Sequence, residues 1–308
     1  MVSYKKIIIS GLDNAGKTSI LTAFNKRYNF EEEINQLLPT RKVVYHKTEF
    51  LNNVITFWDM GGQEMYRKEY QLRPDMYFPD TNLIIYIIDI QDSERFETSM
   101  DYLMDIMQYF EKNNMKVPLI VVFHKFDPKL MNSKELIDNA NKLTVKLMDL
   151  EQLQMIFLQS SIYNVYSIVE LMSAALALFN INQLEIKKKL EVFLTELECH
   201  SLILFNKNGI IVSEDYSDSI DLDLYKKIIG SINKHIVQLK EKQEENSEVQ
   251  SQFFEMDDPY LSYLDQITIK NELFYISSIL KNTNKSMFIK KFPKFKKFLI
   301  KSIKSLLK

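Results

Sequence analysis

Cysteine is almost absent: Cys199 stands alone among 308 residues, which excludes a disulfide scaffold and a thiolate metal cluster. A single thiol of this kind reads as a small buried hydrophobe. Long apolar runs are missing as well. No stretch of about 18 apolar residues occurs, so no membrane-spanning helix is expected. The polar start at residues 1–6 leads into a short apolar strand, unlike a signal peptide. Acidic residues end at Glu272, and ten lysines follow it, set against −12 in the rest of the chain for a net charge of −2. That balance excludes a uniformly basic nucleic-acid binder and leaves a basic C-terminal face. Glycine is the third scarcity. Of six, four (Gly11, Gly16, Gly61 and Gly62) fall in two short N-terminal segments, where backbone is expected to approach something closely.

What is present suffices for a core: 46% of residues are hydrophobic and 26% charged. The length suits two domains of about 150 residues each. Apolar strands are predicted at 6–10, 42–50, 54–60, 82–89, 117–123 and 154–159, with a turn at 51–53. Helices are predicted at 17–27, 94–111, 136–148 and 165–179. This alternation implies an α/β fold with a largely parallel sheet. The second half reads as a helix at 185–199, a hairpin at 201–205 and 210–214 turned by Asn208-Gly209, and a helix at 222–240. A solvated loop at 241–248, strands at 252–256, 264–270 and 273–280, and a lysine-rich helix complete it. That order predicts a small α+β domain. The expected domains are 1–182 and 183–308, with a boundary near 180–184.

The chemistry sits in the first half. Gly11-Leu12-Asp13-Asn14-Ala15-Gly16-Lys17-Thr18 matches G-x-x-x-x-G-K-[ST] between a predicted strand and a predicted helix. Backbone N–H groups from Asp13, Asn14, Ala15 and Gly16 are expected to converge on phosphate oxygens, with the helix N-terminus adding its dipole. Lys17 is expected to reach the β- and γ-phosphates, Thr18 to bind Mg²⁺, and Ser19 to extend the nucleotide site. Asp59, ending the strand before Gly61-Gly62-Gln63, suits a hold on the water shell of Mg²⁺. Gly62 is expected to offer its N–H to a γ-phosphate and Gln63 to orient the attacking water. Thr40 lies where a switch threonine would close over Mg²⁺. His124-Lys125-Phe126-Asp127 resembles the base-reading N-K-x-D motif, with His124 in place of Asn. Asp127 would accept from guanine, the Lys125 stem would pack on the ring, and His124 would tie the base loop to the P-loop. Ser161 and Ile162 would offer N–H groups to the guanine carbonyl.

With these five segments in order, residues 5 to about 180 resemble the Ras-like small GTPase fold. Residues 11–18, Pro39-Thr40 and 58–63 resemble the Arf branch. The H-K-x-D form at 124–127, Ser160-Ser161-Ile162, and a second domain resembling a roadblock or longin-like domain are more similar to Rag GTPases. Residues 202–205, after a helix ending at Glu198-Cys199, resemble the opening of such a domain. Gly61-Gly62-Gln63 is similar to the A-type Rag subunit. The resemblance implies a slow GTPase that binds GTP and GDP with Mg²⁺. It also implies dimerisation through the C-terminal domain (as a homodimer or with a C-type subunit), GTPase-activating and scaffold partners, and a role in amino-acid signalling. The alternatives are an Arf-like trafficking GTPase with an added roadblock domain and a nucleotide-dependent scaffold without appreciable hydrolysis. The expected location is cytoplasmic, with peripheral membrane recruitment through partners. Val2 replaces the myristoylated glycine of Arf proteins, and residues 305–308 carry no prenylation motif. A metabolic NTPase or kinase would need a dedicated substrate site, and a decayed scaffold would not keep Gly16, Lys17, Thr18, Asp59 and Gln63 together.

From 286 to 308, Phe288, Phe292, Phe295, Leu299, Ile303 and Leu306 recur every three or four residues as one apolar helical stripe. Two uses are open: packing on the C-terminal sheet, which the uncovered face favours, or a membrane-surface helix. Pro293 predicts that the regular helix starts near that residue.

Overall fold

A computed structural model describes residues 3–26, 34, 36–50, 53–148, 155–179, 183–206, 210–218, 251–269 and 272–306, with single residues between 220 and 235. It divides into two compact units, residues 1–171 and 172–308, and the division falls within one helix. The turns expected at 51–53 and at Asn208-Gly209, the loop at 241–248 and the boundary near 180–184 lie wholly or largely outside the described residues.

The first unit opens with β1 (Ser3–Ser10), α1 (Lys17–Lys26), β2 (Val43–Phe50) and β3 (Asn53–Met60). Helices α2 (Glu64–Leu72) and α3 (Pro74–Tyr77) follow, then β4 (Thr81–Asp89), α4 (Phe96–Lys112) and β5 (Leu119–His124). The unit continues with α5 (Lys134–Met148), β6 (Met155–Ser160) and the start of α6 (Val165–Ala177). The sheet runs β2-β3-β1-β4-β5-β6, antiparallel only between β2 and β3. β4 and β5 lack alternation because both of their faces are covered, and Leu83 through Ile88 are buried. On one face Ile8, Ile84, Tyr86 and Val121 pack against Tyr70 of α2, Leu103 and Phe110 of α4, and Leu143 of α5. On β3, Phe57 meets Phe24 of α1 edge-on.

Helices α2 and α3 were not predicted. The segment from Glu64 to Leu72 is mostly polar and buries only Tyr70, so it lacks a readable apolar stripe. Tertiary anchoring of that one ring, stacked edge-on to Tyr77 at 4.7 Å, does what periodicity would otherwise signal.

The second unit holds α7 (Gln183–Leu197), β7 (Cys199–Asn206), β8 (Ile211–Tyr216), helical residues between 223 and 235, β9 (Gln252–Glu255), β10 (Tyr260–Ile269), β11 (Glu272–Lys281) and α8 (Lys285–Leu306). Its antiparallel sheet runs β8-β7-β11-β10-β9. The helix expected to end at Cys199 stops earlier. Glu198 turns left-handed (φ +50°) and Cys199 begins β7, buried, with its thiol pushed up to about 12 by that burial. The apolar stripe is consumed by packing: Phe288, Phe292, Phe295, Leu299 and Ile303 are buried, with Phe288 and Phe292 against Tyr263 and Phe295 against Phe193. α8 also runs unbroken through Pro293, which corrects the expected start there. A proline inside a helix costs about 3 kcal/mol. Burial of the five apolar side chains, at about 1.5–3 kcal/mol each, outweighs that cost.

Candidate functional site

The strand ends of the parallel sheet place five loops at one edge, as expected for a ligand site in an open α/β sheet. Between β1 and α1, Gly11 (φ +141°) and Gly16 (φ +93°) adopt backbone that side chains disfavour, and Asn14 joins them at φ +60°. Lys17 is buried, and its Nζ donates to the carbonyls of Leu12 (2.6 Å) and Gly11 (3.0 Å). Burial pushes its ammonium down to about 8, against the attraction of Asp59 and Asp13. A cation held in such a site is primed for phosphate oxygens.

Three oxygens meet beside it. Thr18 Oγ1 donates to Asp59 Oδ2 at 2.6 Å, lies 2.8 Å from Thr40 Oγ1, and Thr40 Oγ1 sits 3.3 Å from the same carboxylate oxygen. Asp59 is fully buried, which pushes its carboxyl above the ordinary range, while the Thr18 hydrogen bond and Lys17 pull it back. Its other oxygen, Oδ1, is buried without a hydrogen-bond partner. Two hydroxyls and a carboxylate with an unsatisfied oxygen form a hard-oxygen set that fits Mg²⁺. Among the described residues no cluster of three His, Cys, Asp or Glu forms an all-protein metal cage. The set therefore matches the mode in which Mg²⁺ takes few protein ligands and completes its shell with phosphates and water.

The second glycine pair closes against the first loop. The Asp13 N–H donates to the Gly62 carbonyl (3.1 Å), and a side chain at Gly62 would come within 2.3 Å of the Asp13 nitrogen. Gly61 donates to the Lys42 carbonyl at 2.7 Å, which also accepts from the Tyr70 hydroxyl at 2.8 Å. Gln63 is half-buried and caps α2 through its carbonyl, which receives the N–H groups of Tyr66 and Arg67.

On the base side, His124 ends β5, buried, with Nδ1 2.8 Å from Ser160 Oγ. Burial and the Lys125 charge push it down to about 3, so the imidazole is neutral. Its ring lies where a Gly16 side chain would be, 2.4 Å from that position, so the base loop and P-loop abut here. Lys125 adopts φ +63° and its Nζ pairs with Asp89 at 2.6 Å. Asp127 accepts from Ser161 Oγ (2.6 Å) and from Gln91 Nε2 (3.2 Å). The Ser161 N–H donates to Ser167 Oγ (3.0 Å), and the Ser161 hydroxyl is the group that meets Asp127. Ile162 follows in the same turn, and Ser19 lies in the first turn of α1.

The sequence reading missed Asp89, Gln91, Arg67, Arg95 and His46. Arg95 Nη1 lies 3.3 Å from Asp13 Oδ1, and Arg67 Nε donates to the Gly62 carbonyl at 3.0 Å. His46 Nε2 is buried without a partner on the strand beside Asp59. Only Asp89 left a readable signal, as a carboxylate ending a buried strand.

A model of the ADP-ribosylation factor family matches residues 2–177. ADP-ribosylation factor-like protein 3 of Chlamydomonas reinhardtii is 35% identical over 122 residues, covering 40% of this chain and 63% of that protein. ADP-ribosylation factor-like protein 6 of Caenorhabditis elegans is 31% identical over 133 residues, covering 42% and 65%. The chain thus spans just under two thirds of these relatives' length. The solved structure of the Arl6 small GTPase from Trypanosoma brucei, with a bound nucleotide analogue, is similar at 18% identity and a TM-score of 0.43. It covers 56% of this chain and 94% of that one. Small GTPases of the matched family are GTP hydrolases and bind GTP or GDP with Mg²⁺.

Proposed function

The chain belongs to the ADP-ribosylation factor family, and from that premise we propose that it is a guanine-nucleotide switch that binds GTP and GDP with Mg²⁺ and hydrolyses GTP slowly. The observation that carries this reading is the meeting of Thr18, Thr40 and Asp59 beside the buried Lys17. The P-loop N–H groups of Asn14, Ala15 and Gly16, that of Asp13 once it leaves the Gly62 carbonyl, and the start of α1 with Ser19 hold the phosphates. Lys17 leaves its carbonyl partners for the β- and γ-oxygens. Thr18 and Thr40 would hold Mg²⁺ and Asp59 its water shell, and the ion would supply charge neutralisation at the phosphates. Gly62 offers its N–H to the γ-phosphate and Gln63 orients water for in-line attack. Asp127 accepts from guanine, Lys125 covers the ring, and Ile162 offers its N–H to the base. Arg95 is engaged with Asp13 and Asp92 and Arg67 with Gly62, so neither is free for the transition state, and an activating protein would supply that arginine. Such an arginine is typically worth about 10³–10⁵ in rate.

Titration of fluorescent GTP, GDP and ATP, with Mg²⁺ and with chelator, tests this reading. Guanine preference and Mg²⁺ dependence are expected; equal affinity for ATP and GTP overturns it.

A finer reading is Rag-like: residues 183–308 as a roadblock-like dimerisation domain following a GTPase domain at 1–182, acting in nutrient signalling. It is supported by the α-β-β-α-β-β-β-α order and by the H-K-x-D form at 124–127. The Arf-like trafficking switch is the competing role. Light scattering on the chain, whole and truncated at 184, separates them: a dimer that becomes monomeric on truncation supports the Rag-like reading, and a monomer throughout refutes it.

A further inference from the structure

With its apolar stripe buried, α8 turns a second stripe to solvent. Lys290, Lys294, Lys297, Lys301 and Lys304 recur at alternating steps of four and three, and all are exposed. This spacing keeps them on one side of the helix, in a row about 21 Å long. Ile289 (53% exposed) flanks the row, while Phe298 on the opposite flank packs against Phe193 at 5.2 Å and lies under the Lys189 ammonium. Among the described residues only one carboxylate approaches it, Glu196, 3.7 Å from Lys294. Lys296, by contrast, points inward and is paired with the buried Asp265 at 2.7 Å, Lys291 donates to the Glu196 carbonyl at 2.9 Å and Lys285 lies over the Phe253 ring, which leaves five of the helix's eight lysines in the row.

We propose that the solvent face of α8 is a docking ridge for the anionic surface of a membrane. The argument is charge complementarity combined with shape. An acidic protein partner would need acceptors placed to match each ammonium. A lipid surface satisfies a straight row on a convex helix at once, and flexible lysine stems adapt to it. Ile289 suits the boundary between headgroups and acyl chains. The mode differs from an amphipathic helix lying in the bilayer: Phe288, Phe292, Phe295, Leu299 and Ile303 stay in the core, and adsorption is electrostatic. It is therefore steeply salt-dependent and needs no bound nucleotide.

The test is co-sedimentation of the full chain with phosphatidylcholine vesicles, with and without 30% phosphatidylserine, at low and physiological salt. Binding to the anionic vesicles that weakens with salt is expected. A chain carrying Lys297→Gln, Lys301→Gln and Lys304→Gln together should lose about 100-fold in affinity, at roughly fivefold per lysine. These side chains are exposed on the second unit and outside its core, so GTP uptake and the circular dichroism melt should match the native protein. An Ile289→Ser chain should bind anionic vesicles more weakly at unchanged charge. Equal binding to both vesicle types, or a triple variant that binds like the native chain, overturns the proposal. Binding to polyglutamate without binding to vesicles also overturns it, in favour of an acidic protein partner.

Discussion

The two sheets bury similar side chains but dispose of their polar groups in opposite ways. In the parallel sheet the charged and hydroxylic residues gather at the strand ends and in the turns that follow them, where Lys17, Thr18, Asp59, Lys125 and Asp127 face one edge. In the antiparallel sheet the distinctive polar groups lie inside. His235 is buried between Ser277 (2.9 Å) and Ser262 (3.3 Å), and Asp265 is held by Ser251 and Lys296. Parallel strands require crossovers, so all their carboxyl ends open onto the same side and free groups collect there. Hairpins turn the chain back at both ends, and the polar side chains of β10 and β11 become internal fastenings. Architecture thus separates a unit that is chemically available from one whose chemistry is spent on cohesion.

The comparison can be broken from either side. Phe295→Ala, which empties the centre of the α8 packing, should lower the stability of the second unit by about 3–5 kcal/mol in denaturant titration. GTP uptake should persist; its loss would mean the units are not separable. Lys17→Met should do the reverse, weakening GTP affinity by about 100-fold, the scale of a lost charged hydrogen bond, without lowering the melt of the second unit.

Acid should act on His235. Burial holds this imidazole at about 3, below its ordinary 6.5, so the unfolded chain binds the proton more readily. Stability is then full above pH 6.5 and falls as pH drops toward 3, by about 2 kcal/mol between pH 7 and 5. His235→Gln should flatten that slope in melts of the second unit; an unchanged slope refutes the assignment. The effect of opposite sign concerns Pro293, exposed on α8. Pro293→Ala restores a helix N–H and should raise stability by up to about 3 kcal/mol, read as a higher denaturation midpoint.

Much of the first unit was legible because its chemistry is contiguous. Residues 11–18 state strand, turn, phosphate loop and helix in one line, and Asp59 through Gln63 need only to follow them. Thr40 was legible only by its order between motifs. What escaped was paired across long separations: Arg95 meets Asp13 across 82 residues, and the His124 ring fills the space at Gly16. No local pattern encodes either. Helix α2 escaped because one buried tyrosine carries it, and the unbroken α8 escaped because Pro293 is a local breaker overruled by five distant contacts. The stripe itself, a 3.6-residue period with nothing acidic among it, was plain.

The carbonyl of Lys42, where Gly61 and the Tyr70 hydroxyl converge, bears on timing. Lys42 follows the loop that carries Thr40; Gly61 and Tyr70 bracket the segment that carries Gln63. One acceptor with two donors is a shared latch. Neither segment swings away without breaking its bond to that oxygen. Parting the two therefore costs both hydrogen bonds together, at about 0.5–1.5 kcal/mol each, which slows their separation.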